Sequence, residues 1–142
     1  MKRCDLFINN QTRWIISVSL LVFGSMIYLL YRPQNILLFQ ITDSIGLSPF
    51  INKIREDFSC YTLPAFVINS LPAGLWTASY LILMYSKTKF ADKKHRLMLC
   101  LPLPISAIML ELMQLLGWCP GVFDVYDLVC YIIPIIIFIK SI

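Results

Sequence analysis

From Leu97 to Ile139 this chain has no Lys, Arg or His, yet the stretch holds three carboxylates, Glu111, Asp124 and Asp127. That feature limits what the chain can fold into. Acids in so apolar a segment have no local base, so each must be protonated or must meet a distant cation or a ligand. Glu111 and Gln114 are three residues apart, as are Asp124 and Asp127, so each pair shares a helix face. Gly117, Pro120 and Gly121 put a turn between the pairs. The pattern predicts two helices meeting at a tight bend, with the acids near it.

Composition says what surrounds those helices. Of 142 residues, 58% are hydrophobic and 14% charged, and the mean hydropathy is +0.74. Soluble domains carry about 25% charged residues. The balance predicts an all-α polytopic membrane protein, one integral-membrane domain over residues 1–142 with no internal repeat. The net charge of +4 is modest, and the basic residues gather at the ends of apolar runs. That distribution suits membrane topology and argues against a nucleic-acid surface.

Four spans are predicted, at about 14–31, 61–85, 97–116 and 122–139. The first follows a polar start carrying Lys2, Arg3 and Arg13, and has Trp14, Tyr28 and Tyr31 at its ends, where interfacial aromatics belong. A cleaved signal peptide is the rival reading. The length of the run and the lack of an A-x-A-like site favour a retained anchor. Arg32-Pro33 ends it. Pro33 to Cys60 reads either as two short amphipathic helices at the membrane surface, divided by Gly46 and Pro49, or as an ordered extracytoplasmic loop packing on the bundle. The second span holds Pro64, Asn69, Ser70, Pro72 and Gly74, with a kink expected near Pro72. The basic run Ser86–Arg96 reads as a cytoplasmic topology signal, with anionic-lipid binding as its other reading. His95 inside it is expected to be solvated. Pro102 and Pro104 interrupt the third span. The fourth must take Asp124 and Asp127 into its first turns, or the bilayer must thin there. Four spans place nine of the twelve basic residues on the side of the termini. The termini are therefore expected in the cytoplasm and the Glu111–Asp127 bend outside, in an inner (cytoplasmic) membrane.

Glu111 lies about five residues, roughly 8 Å, inside the outer end of its helix. Charged residues in spans usually face the bundle interior or a wet cavity. Asn69 and Ser70 fall at comparable depth. Asn69, Ser70, Glu111, Gln114, Asp124 and Asp127 are thus the candidate lining of one outward-facing polar pocket. Arg32, at the end of the first span, is a candidate counter-charge. Glu111, Asp124 and Asp127 are also candidate ligands for a divalent cation, and no other cofactor is evident. Plainer roles exist. Asp124 suits an N-cap, Asp127 a first helical turn, and Gln114 an interhelical hydrogen bond. Glu111 has no capping role in mid-helix.

At these residues the chain resembles the VanZ-like family of small bacterial membrane proteins. That family shows Glu-x-x-Gln, a Pro-containing bend, then Asp-x-x-Asp, here Glu111 and Gln114, Pro120, then Asp124 and Asp127. The resemblance covers about twenty residues, and four or so spans also fit. Relatives often carry an Arg before the first Asp and an Asn after the second, where this chain has Gly121-Val122 and Tyr131. The resemblance implies a role in the cell envelope, with glycopeptide (teicoplanin) resistance the named association and no known reaction.

Other chemistry is mostly absent. There is no Gly-rich phosphate loop and no Ser-His-Asp or Cys-His pairing. The five cysteines show no C-x-x-C spacing. Cys100 and Cys130 read as packing residues. Cys60 and Cys119 fall on one predicted surface, where a disulfide is an open reading. Three classes of function remain: an envelope accessory binding a lipid-linked or peptidoglycan-related ligand, an enzyme using the carboxylates on a lipid head group, and a structural subunit of a larger membrane complex.

Overall fold

Prolines and glycines set most of the helix breaks. The computed structural model describes residues 9–33, 37–58 and 60–142, and among these residues it contains eight α-helices and no strand. Lys2 and Arg3, which enter the charge count above, lie outside the described residues. The helices are α1 (Asn10–Tyr31), α2 (Leu37–Ser44), α3 (Ser48–Phe58), α4 (Ala65–Asn69), α5 (Leu71–Lys87), α6 (Lys93–Cys100), α7 (Pro102–Leu115) and α8 (Val125–Ser141).

α1 ends where Pro33 forces Arg32 into an extended conformation, φ −82° and ψ 153°. It is long and apolar enough to cross a membrane, and α6 with α7 makes a second such length if the bent pair is one span. The two short helices expected after α1 are present as α2 and α3. α3 packs on α1: Arg55 Nη1 donates to the carbonyls of Leu29 at 2.6 Å and Arg32 at 2.8 Å, closing the exposed end of α1.

Two expected spans are each divided. The kink anticipated near Pro72 is a break at Ser70, and Pro72 sits in the first turn of α5. There its missing N–H cannot bond to Ile68 and costs little. The third run divides at Leu101, where α6 and α7 meet at 45°. Pro102 and Pro104 cannot donate to the carbonyls of Met98 and Cys100, so the ladder fails over that turn. The helix also starts earlier than expected, at Lys93, because Asp92 turns the chain there. His95 Nδ1 lies 2.7 Å from Asp92 Oδ2, with both side chains mostly exposed. That hydrogen bond holds the Asp92 carboxyl below its ordinary pKa.

α5 is the central element, packed against both α1 and α8. Against α1 it runs antiparallel: Ser79 meets Ser17 and Trp76 meets Tyr28, and just before it Asn69 at the end of α4 meets Arg32. Ser17 Oγ donates to the Ser79 carbonyl at 2.8 Å, and Ser79 Oγ donates to the Ser17 carbonyl at 2.7 Å. Both serines are buried. Against α8 it runs parallel: Gly74 meets Cys130, Leu81 meets Phe138, and the Tyr85 hydroxyl reaches the Ser141 carbonyl at 3.4 Å. The backbones approach so closely at Gly74 that a Cβ there would lie 3.0 Å from Cys130 Cβ and 3.1 Å from its carbonyl oxygen. Leu81, Cys100 and Phe138 form the buried apolar cluster where α5, α6 and α8 meet.

These contacts make a quantitative expectation. Ser17→Ala and Ser79→Ala in a double-mutant cycle should couple by about 0.6 kcal/mol, the usual size for interhelical hydrogen bonds in membrane proteins. Gly74→Val should cost more, about 1–3 kcal/mol, through overpacking against Cys130. Denaturant unfolding in micelles measures both, and a Gly74→Val protein as stable as wild type would contradict the close approach.

Candidate functional site

The bend between α7 and α8 is built by local rules. α7 finishes in a Schellman turn: Trp118 N–H bonds to the Met113 carbonyl at 2.9 Å and Gly117 N–H to the Gln114 carbonyl at 3.0 Å. Gly117 takes the left-handed conformation this requires, φ +72°. The chain then folds back over Gln114, so that a Cβ on Gly121 would lie 2.5 Å from Gln114 Nε2. α8 starts at Asp124, whose Oδ1 accepts from the Tyr126 N–H at 2.9 Å. Asp124 is thus the N-cap, and Asp127 sits in the first turn.

The bend brings Glu111 of α7 within electrostatic range of Asp124 and Asp127. Glu111 is only 8% exposed, and its Oε2 is buried without a hydrogen-bond partner. Asp127 Oδ1 is in the same condition. So is Ser70 Oγ, on a side chain with no exposed surface. The register of α5 on α8 puts these groups at one level. Ser70 is one turn before Gly74, and Asp127 is one turn before Cys130. At that end of α1, Arg32 Nη2 donates to the Asn69 carbonyl at 3.2 Å while its Nε is buried and unpartnered. Four of the five unpartnered buried atoms among the described residues therefore lie on residues singled out from the sequence. The fifth is Trp76 Nε1, packed against Gly24.

The other candidates take plainer places. Asn69 is exposed and contributes its backbone carbonyl. Gln114 covers Gly121. Arg32, the candidate counter-charge, lies with its guanidinium carbon 5.3 Å from the Tyr28 ring centre. No three His, Cys, Asp or Glu side chains converge as a metal-ligand set among the described residues. Cys60 and Cys119 are free thiols. One neighbour went unpredicted as a site residue. Tyr131 lies within electrostatic range of Asp127 and Glu111. It is one turn after Asp127, and that spacing alone would have placed it on the same helix face.

One cavity of about 680 Å³ lies among the end of α1, α3 and the segment leading to α4, and another of about 650 Å³ lies between α1, α5 and α8. Glu111, Gln114, Asp124 and Asp127 line neither. Comparison of the chain with family profiles, curated proteins and solved structures finds no match.

A buried polar atom left unpaired costs about 1–3 kcal/mol. Glu111→Met should therefore raise the melting temperature of the purified protein, since it exchanges an acid with one buried, unpartnered oxygen for an apolar side chain of similar length. A lowered melting temperature would identify Glu111 as a satisfied structural group.

Proposed function

We propose that this is a four-span VanZ-like protein of the bacterial cell envelope, whose acidic centre binds a cationic or hydrogen-donating group of an envelope ligand. The single observation behind this reading is the set of unpartnered buried atoms: Ser70 Oγ at the start of α5, Glu111 Oε2 on α7 and Asp127 Oδ1 on α8. Two of them are acceptors on acids, no base is paired with them among the described residues, and Ser70 adds a hydroxyl able to donate or accept. Such a set favours a donor-rich partner or a cation. The alternating directions of α1, α5, α6–α7 and α8 support four crossings, and the resemblance at Glu111–Asp127 supports the envelope. In this arrangement the ligand is lipid-linked or peptidoglycan-related, and it approaches from the outer face.

Loss of the protein should alter the envelope-lipid profile or glycopeptide susceptibility. Complementation then separates the roles of Glu111. A carboxylate that binds a cation or ammonium is needed as such, so Glu111→Gln should abolish function at normal membrane abundance, as should Asp127→Asn. Full activity of Glu111→Ala at equal abundance would sink the acidic-centre reading.

Orientation is tested separately. Single cysteines at Ser86 and at Gly121, in a background without native cysteines, should react differently with an impermeant maleimide on intact cells. Gly121 should label and Ser86 should not. The reverse pattern would invert the topology.

A further inference from the structure

The cavity between α1, α5 and α8 is lined by none of Glu111, Asp124 and Asp127. It runs along one face of α5 from Leu71 to Tyr85, about 21 Å at helical rise. Apolar side chains line most of its length, and Pro134 interrupts the α8 wall. Its character changes at one end. Arg13 and Lys140 line that end, and no Asp or Glu side chain lines the cleft. Arg96 joins them through Tyr85: the guanidinium carbons of Arg13 and Arg96 lie 4.7 and 4.9 Å from that ring centre. An apolar slot with cations at one mouth complements an amphiphile with a single anionic end.

We infer that this cleft holds one acyl chain of an anionic phospholipid, with its phosphate at Arg13 and Lys140. The inference rests on the membrane-spanning reading but not on the acidic centre. The volume of about 650 Å³ falls within the roughly 300–1,000 Å³ of small-molecule sites. The length exceeds the roughly 15 Å half-thickness of a bilayer core, so a chain from one leaflet can fill it from the basic mouth. That mouth lies on the side predicted to be cytoplasmic, the leaflet where basic residues meet anionic lipid. Ala78 stands midway along the cleft, where a larger side chain would block the slot.

The test uses the full chain in micelles, equilibrated with equal amounts of phosphatidylglycerol and phosphatidylcholine bearing identical acyl chains and read by native mass spectrometry. Wild type should retain phosphatidylglycerol preferentially. Each of Arg13→Gln and Lys140→Gln should reduce that preference by about fivefold, and Lys140→Arg should preserve it. Ala78→Phe should reduce retention of both lipids, with unchanged helix content by circular dichroism. If Ala78→Phe does not fold, the charge variants decide the matter. Excess glycerol 3-phosphate should not displace the lipid. Displacement by it would show that only a phosphate is held, and would overturn the proposal. So would equal retention of both lipids by wild type, an unaltered preference in both charge variants, or a second polypeptide occupying the cleft and released by Ala78→Phe.

Discussion

The fold depends on how closely α5 approaches its two neighbours. In the proposed membrane setting, burial away from water does not draw helices together, because lipid tails are as apolar as leucine. Packing and hydrogen bonds must do it. On one side of α5 the reciprocal Ser17–Ser79 bonds hold α1. On the other, the missing side chain of Gly74 admits the backbone of α8 at Cys130. The Gly74 contact also fixes which residues of α5 and α8 share a level. It is the reason Ser70 and Asp127 stand together, and a slip of one turn would separate them.

The acidic centre follows from that register and from the bend. Asp124 is occupied as a cap, so its local role is met by the Tyr126 N–H. Glu111 also takes a backbone hydrogen bond from Asp124. Glu111 and Asp127 each keep one buried oxygen without a partner, an arrangement that lowers stability unless something binds there.

Much of this was legible in the sequence, because its strongest signals are local. Arg32-Pro33 ends α1, Gly46 ends α2, and Gly117 through Gly121 make the bend, all by backbone rules that involve few neighbours. The burial of Glu111 was also readable, since an acid in mid-helix within an apolar run has few other places to go. Long-range partners were not. Ser17 and Ser79 are ordinary serines sixty-two residues apart, and no pattern joins them before the helices are docked. Arg32 was expected beside the acids on grounds of charge, but the Asn69 carbonyl and the Tyr28 ring hold it. The two divided spans were expected to bend near Pro72 and to be interrupted at Pro102 and Pro104, and the helices break just before those prolines, at Ser70 and Leu101.

The placement of the serine pair bears on the order of assembly. The contacts that join α1 to α5 lie wholly before Thr88, and they need nothing from the later part of the chain. In the proposed arrangement the first two crossings form a hairpin that locks while α6 to α8 are still being synthesised. The parallel partner α8 has no such independence. It reaches the free face of α5 only after α6 and α7 have carried the chain back across. The acidic centre is thus the last part of the molecule to exist, and a ribosome stalled before Asp124 leaves a docked hairpin with Glu111 still unaccompanied.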